Sequence, residues 1–153
     1  MKGSAQPHLE QFFQQKLHTP AAPAGKERDE GDSLPTEDSD YKPYAMRSIA
    51  PEYSLICIKA DGTPRGFQYI HLDSDSGLAN QANGQCITLR FMCPSACEVK
   101  IHGRNLRQLF DFIHQHRTAW VREAARPYAD DDESIVTNIT ITPLKDVENA
   151  NGN

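Results

Sequence analysis

Residues 85–102, with the sequence QCITLRFMCPSACEVKIH, decide the fold of this 153-residue chain. Apolar and polar side chains alternate through both halves of the stretch, and residues 93–96 form a short connection between the halves. The apolar side consists of Ile87, Leu89, Phe91, Cys97, Val99 and Ile101. Such alternation is typical of antiparallel strands with one buried face and one face in water. We therefore predict two antiparallel strands whose apolar side faces a core.

Further strands are predicted on both sides of this pair. Residues 53–60 and 67–72 are rich in β-branched and aromatic side chains, and the turn-forming sequence of residues 61–64 separates them. This arrangement predicts a hairpin. The polar residues 73–85 predict a long loop, and residues 134–142 predict the last strand.

One helix is predicted between these strands, beginning at Asn105. Asn105 is a good N-cap residue, Gln108 follows at the spacing of a capping box, and Pro127 stops the helix. The apolar stripe of this helix consists of Leu106, Leu109, Phe110, Ile113, Trp120 and Val121. The sequence therefore predicts an α+β fold: an antiparallel sheet of about five strands with one long helix packed across one face, preceded by a disordered N-terminal arm.

The first 50 residues differ in composition from the remainder of the chain. They are rich in Pro, Gln, Ser, Gly and acidic residues and lack a sustained apolar period, as do segments that cannot bury a core. We therefore predict a flexible arm over 1–50 with a short amphipathic motif at 6–17, a single α+β domain over 51–147, and a disordered tail over 148–153. Tyr44 and other apolar residues near the end of the arm are expected to cover the edge of the domain.

The arm contains one dense apolar cluster, within the octet Gln6-Pro7-His8-Leu9-Glu10-Gln11-Phe12-Phe13. Leu9, Phe12, Phe13 and Leu17 have the spacing of one face of a short helix. A free helix of this length is marginal in water, so these side chains need a surface on which to dock. The surface can belong to the chain's own domain, to a second copy or to a different protein.

The octet resembles the PIP-box, the peptide with which many DNA-transaction proteins bind the sliding clamp. In that motif a Gln is followed after two residues by an aliphatic residue and, after two more, by two aromatic residues. Gln6, Leu9, Phe12 and Phe13 occupy these places. The resemblance covers only the octet, and it implies docking of a one-turn helix in a hydrophobic groove of the clamp. We therefore expect a protein partner for the arm.

The charge distribution suggests a second class of function. Residues 53–128 carry nine Lys or Arg and six Asp or Glu, whereas residues 129–153 carry one and six. The predicted helix brings Arg104, Arg107 and Arg117 together as candidate contacts for nucleic acid or another anion. The alternative is an ordinary solvated helix surface.

Catalytic and metal sites are not predicted. The four cysteines lack the paired spacing of structural zinc sites, and neither a phosphate-binding loop nor a nucleophile elbow is recognisable. The leading interpretation is a non-enzymatic binding or adaptor protein without a cofactor. A small enzyme that uses His71 or Asp73 as an acid–base group is a third alternative.

The location of the protein is predicted from what the sequence lacks. It has neither an apolar run long enough for a membrane span nor an N-terminal pattern typical of a secretory signal. Cysteines in a chain of this kind are expected to be reduced. We therefore predict a cytoplasmic protein without membrane contact, or a nuclear one in a eukaryote.

Overall fold

The computed structural model describes residues 33–92, 94–127 and 133–144. The folded part contains both strands and an α-helix, which confirms the mixed α+β class. The strands are β1 Ser54–Ile58, β2 Pro64–Gln68, β3 Gly77–Gln81, β4 Gly84–Phe91, β5 Cys97–Arg104, β6 Trp120–Arg122 and β7 Ile135–Pro143. The helices are a 3-10 helix, Tyr69–His71, and an α-helix, α1, Arg107–His114. No helix in these ranges is both long and apolar enough to cross a membrane.

The strands form two sheets, with the orders β2-β1-β6 and β3-β4-β5-β7. The prediction of a single sheet of about five strands was wrong in this respect. Two additional strands, β3 and β6, bring the five predicted strands to seven. Strand β3 lies within the predicted loop 73–85, and it lacks alternation because only Leu78 of its residues is even partly buried. Strand β6 lies within the predicted helix.

The predicted long helix is short because the chain changes direction after His114. The N–H of Gln115 donates to Asp111, and His116 then adopts a left-handed φ of 56° that ends the helical path. Trp120 and Val121 were assigned to the helical stripe, but they form a strand that runs parallel to β1. Aromatic and β-branched side chains suit a pleated, buried strand, and here that preference prevails over the helical spacing.

The start of the helix also differs from the prediction. Asn105 has a φ of 54° and the N-cap position belongs to Leu106, without a side-chain capping bond. The side-chain amide of Asn105 donates to the carbonyl of Glu133, and the hydroxyl of Ser134 donates to the carbonyl of Asn105. Asn105 therefore ties the helix to the start of β7 instead of capping it.

The main core lies between the inner faces of the two sheets and the apolar face of α1. Its fully buried side chains include Leu55, Ile87, Leu89, Val99, Ile101, Leu109, Ile113, Val121 and Ile139. A smaller cluster of Ala45, Ile58 and Trp120 is also buried. Strands β1 and β6 therefore contribute buried side chains to both clusters.

Residues from the end of the predicted arm cover the β6 edge of this sheet. Tyr44 forms an isolated antiparallel bridge with Val121, the N–H of Ala45 donates to Trp120 (2.9 Å), and the N–H of Arg122 donates to Pro43 (2.8 Å). Tyr44 and Ala45 are buried by this pairing. The edge of β6 is therefore closed, whereas β2 remains the outer strand on the other side of the sheet.

Two glycines allow a close approach in the four-stranded sheet. Gly84 follows the Ala82-Asn83 turn between β3 and β4 with a φ of 136°, a conformation that side chains disfavour. Gly103 lies at a register irregularity between β5 and β7, and a methyl group there would overlap the carbonyl oxygen of Ile135. A β-carbon at Gly103 is therefore excluded by the backbone of the neighbouring strand.

Candidate functional site

A cavity of about 510 Å³ lies where the edge of β2 meets the connection between β4 and β5. It is lined by residues 65–68 of β2, by His71 and Phe91, and by Pro94, Ser95 and Cys97. Both sheets contribute to its walls, so the cavity depends on the contact between the two sheets. A volume of this size is within the range of ligand-binding clefts in proteins.

The floor of the cavity is aromatic. The rings of Phe67 and Phe91 are stacked, with centroids 4.7 Å apart and an interplanar angle of 22°. Phe67 belongs to β2 and Phe91 to β4, and both are buried. This pair joins the two sheets and gives the cavity a rigid apolar base.

The charge at the rim is positive. The Arg65 side chain is exposed, and its guanidinium carbon lies 5.4 Å from the centroid of the Phe67 ring. Arg65 and His71 are the cationic or titratable nitrogen groups in the cavity wall, and the described lining residues include neither Asp nor Glu. The rim is therefore suited to a carboxylate or another anionic group.

The thiol in the cavity wall is a weak nucleophile. Cys97 is buried, and this burial raises the pKa of its thiol. The neighbouring Cys57 is fully buried, and burial raises its pKa to about 12, with the charge of Cys97 adding to the effect. Because the thiolate is the reactive form, the raised pKa values make both thiols weaker nucleophiles than an ordinary cysteine.

A 3-10 helix and a buried tyrosine fix the end of β2 beside the cavity. Tyr69 follows β2 directly, its hydroxyl donates to the carbonyl of Thr118 (2.6 Å), and its ring stacks on His116 at 4.7 Å. The N–H of Met92 donates to His71 (2.9 Å), which attaches the next turn to the end of β4. These bonds position His71 in the cavity wall.

The three arginines predicted to contact nucleic acid have different surroundings. Arg117 lies beyond the helix, and its guanidinium donates to the carbonyls of Ser48 (3.1 Å) and Ile49. Arg107 is exposed in the first turn of α1 and lies 3.8 Å from Asp111. Arg104 is the last residue of β5 and lines a different cavity. Arg117 therefore has a structural role that the sequence did not indicate.

This second cavity has a volume of about 440 Å³ and is lined by Arg104, residues 124–127, Ile135 and Thr137. Two of its lining residues are arginines, Arg104 and Arg126. Its walls combine these cations with apolar Ala and Ile side chains. The grouping of Arg104 with Arg126 differs from the predicted helical group.

The remaining predicted sites are distributed as follows. His71 and Asp73 lie at the end of the 3-10 helix, where the N–H of Asp73 donates to the carbonyl of Arg90 (2.7 Å). In the ranges that the structure covers, no group of three or more His, Cys, Asp or Glu could hold a metal ion. The clamp-like residues Gln6, Leu9, Phe12 and Phe13 lie outside the described residues and stay a prediction.

The sequence does not predict that Arg65, Phe67, Phe91 and Cys97 are neighbours in one site. Phe67, Phe91 and Cys97 belong to predicted strands, and Arg65 lies between the predicted turn 61–64 and the predicted strand 67–72. Their meeting depends on a contact between two sheets, which alternation along a single strand does not encode. The sequence matches no protein-family model, and neither a curated protein nor a solved structure is significantly similar to it.

Proposed function

We propose that this chain is a non-enzymatic binding protein of the adaptor type. Its folded domain takes a polypeptide segment in the cavity beside β2, and its Gln6–Phe13 segment binds a second protein. The observation that carries the first part is a 510 Å³ cavity bordered by a strand edge, with a stacked Phe67–Phe91 floor. Grooves of this kind beside a sheet edge are a recurrent means of peptide recognition.

The chemistry of the cavity supports binding more than catalysis. Burial raises the pKa of the Cys97 thiol and so weakens it as a nucleophile, and the described walls offer His71 as a general base with no carboxylate among them to orient it. Arg65 and the aromatic floor instead supply a cation and an apolar surface, the usual elements of a polypeptide-binding surface. The free thiols of the described cysteines fit a reducing compartment, and we include a cytoplasmic location, or a nuclear one in a eukaryote, in the proposal.

Selection from a library of random dodecapeptides displayed on phage tests the binding role of the domain. The full chain is immobilised and compared with Ser95→Trp, which places a bulky side chain at the cavity wall. Ser74→Trp is the control, because Ser74 is also exposed but lies outside the cavity. We expect enrichment on the wild type and on the control, and loss of enrichment on Ser95→Trp. Absence of enrichment on the wild type would refute the binding role of the cavity.

The second part of the proposal rests on the resemblance of Gln6–Phe13 to the clamp-binding peptide. The full chain and a Phe12→Ala/Phe13→Ala variant are each titrated with sliding clamp. We expect the wild type to bind and the variant to lose most of its affinity, since the two rings form the apolar plug of such peptides. Failure of the wild type to bind, at concentrations where an established clamp peptide binds, would remove this part.

A further inference from the structure

The pattern of hydrogen bonds in the β1–β2 hairpin determines which backbone groups of β2 face outward. At one end of the hairpin the N–H of Lys59 donates to Thr63 (3.0 Å), and at the other the N–H of Tyr69 donates to Tyr53 (2.9 Å). Hydrogen-bonded pairs recur at every second position of an antiparallel ladder. With the observed register, Arg65 and Phe67 therefore bond to β1.

The alternate residues of β2 direct their backbone groups away from the sheet. These are the N–H and C=O of Gly66, the N–H of Gln68 and the C=O of Pro64, which has no N–H to leave without a partner, whereas the C=O of Gln68 begins the 3-10 helix. Among the described residues, none bonds to these outward groups. An outer strand with such a row of groups is a template for an added strand.

The space beside this edge is open. Residues 65–68 border the cavity, and a β-carbon at Gly66 would have no atom within 4 Å. A strand spacing of about 4.8 Å is needed for an added strand. The β-carbon position describes the face of the sheet at Gly66, because a β-carbon points out of the sheet, whereas the room for an added backbone is the cavity that residues 65–68 border.

The charge beside the edge selects the side chains of the added strand. Arg65 lies over Phe67 with no salt bridge to any described residue. A carboxylate next to it would gain a charge-assisted hydrogen bond. An apolar side chain of the same segment would cover the Phe67–Phe91 floor.

We propose that β2 accepts an extended acidic peptide of a partner protein as an added strand, with backbone bonds to Gly66 and Gln68 and a peptide carboxylate on Arg65. This inference rests on the proposed function, because it specifies how the cavity binds its polypeptide. We expect the partner peptide to carry a carboxylate because the cavity wall is cationic at Arg65 and lacks a described acidic group.

A pair of substitutions at Gly66 tests the backbone part of the proposal in the full chain. Gly66→Pro removes an outward N–H without removing a bond to β1, whereas Gly66→Ala retains the N–H and meets open space. The probe is the most enriched dodecapeptide from the phage selection, synthesised with a fluorescent label and titrated by anisotropy. We expect Gly66→Pro to raise the Kd about tenfold and Gly66→Ala to change it less than about threefold. Equal effects of the two substitutions would overturn strand addition while leaving the binding role in place.

A double-mutant cycle tests the ion pair. Arg65→Gln in the protein is combined with Asp→Asn or Glu→Gln in the peptide. We expect each single change to raise the Kd about fivefold, and the double change to raise it little more than either single change. Additive effects, or a selected peptide without an acidic residue, would overturn the assignment of a carboxylate to Arg65.

Hydrogen exchange provides a measurement that does not depend on whether Gly66→Pro folds. In the wild-type chain, the amide protons of Gly66 and Gln68 are expected to exchange more slowly when the peptide is bound, whereas those of Arg65 and Phe67 are already bonded to β1. Unchanged exchange at Gly66 and Gln68 in the saturated complex would overturn the proposal. Peptide binding that occurs only when Leu9, Phe12 and Phe13 are replaced by Ala would also overturn it, because the chain's own arm would then be the occupant.

Discussion

Removal of the Tyr69 hydroxyl should destabilise the domain and loosen the wall of the cavity. Tyr69 is only 3% exposed, and its hydroxyl donates to the carbonyl of the fully buried Thr118 at 2.6 Å. Tyr69→Phe keeps the ring and its stacking on His116 but leaves this buried carbonyl without its donor. Loss of one partner in a buried hydrogen bond costs about 1–3 kcal/mol.

The expected loss of stability is large enough to measure by urea denaturation or by thermal unfolding. For a domain of about 100 residues, a loss of 1 kcal/mol lowers the Tm by roughly 4–8 °C. Tyr53→Phe is the matched control, because Tyr53 is 92% exposed and its hydroxyl can remain hydrated. The fluorescence of Trp120, the single tryptophan of the chain, reports unfolding, and an unchanged m-value would show that only stability differs.

Free energies of unfolding of Tyr69→Phe and Tyr53→Phe that agree within about 0.5 kcal/mol would refute a stabilising role of the Tyr69 hydroxyl. Such a result would mean that the 2.6 Å contact contributes nothing net and that the end of β2 is held by packing alone. Since the 3-10 helix that begins at Tyr69 places His71 in the cavity wall, the variant should also weaken peptide binding. The binding assay with the selected dodecapeptide therefore provides a second readout.

Four further outcomes follow from the structure. Gly103→Ala should cost about 1–3 kcal/mol because its methyl group would overlap the backbone of β7, whereas Gly66→Ala should be near neutral; equal unfolding midpoints would contradict the described approach of the strands. Arg117→Ala should lower the Tm because its guanidinium bonds two carbonyls of residues 48–49, and Arg107→Ala should leave the Tm within error. Burial raises the pKa of Cys57 from 9.0 to about 12, so the native state retains a proton that the unfolded state loses. Stability should accordingly be full below about pH 9 and fall by up to about 1.4 kcal/mol per pH unit above it, and Cys57→Ala should flatten this dependence in denaturation curves at pH 8–11. If the helix region binds duplex DNA, the affinity should fall steeply with rising salt and should also fall in Arg107→Ala. Binding that is absent or independent of salt would exclude a DNA-binding role.

Strands β4 and β5 were predictable from the clean alternation of their side chains, whereas β3, which lacks such alternation, was not. The residues of β4 and β5 alternate because one face packs on the core and the other faces water. The residues of β3 have no such requirement, since this edge strand is mostly exposed and only its Leu78 packs on the core. The Asn83-Gly84 pair at its turn was the available signal, because this dipeptide is common in hairpins.

The misassigned helix has a different cause. Trp120 and Val121 continue the apolar spacing of α1, and no Gly or Pro separates them from it in the sequence. The break occurs at His116, a residue whose left-handed φ is supported by tertiary contacts such as its stacking on Tyr69. A local pattern could not reveal this break, because the contacts of His116 are made with residues distant in the sequence, namely the ring of Tyr69 and the N–H of Glu52, which donates to the carbonyl of His116 (2.7 Å).

The candidate site was predictable only in part for a related reason. Arg65 and Phe67 could be placed on or beside the second strand of a hairpin, yet nothing in their spacing indicates that Phe91 lies opposite. The cavity is formed by a contact between two sheets, and the division into two sheets was the part of the fold that the sequence did not reveal. The edge position of β2, by contrast, is consistent with Pro64, since proline is tolerated at an edge.

The parallel pairing of β1 with β6 constrains the order in which the protein can assemble during synthesis. Ile56 pairs with Trp120 across about 60 intervening residues, and closing so long a loop slows folding. As the ribosome releases the chain from its N-terminus, the β1–β2 hairpin emerges long before its third strand is available. Until Trp120 leaves the exit tunnel, both edges of that hairpin are open, so the nascent chain passes through a stage in which chaperone capture or pairing with a neighbouring chain competes with native closure.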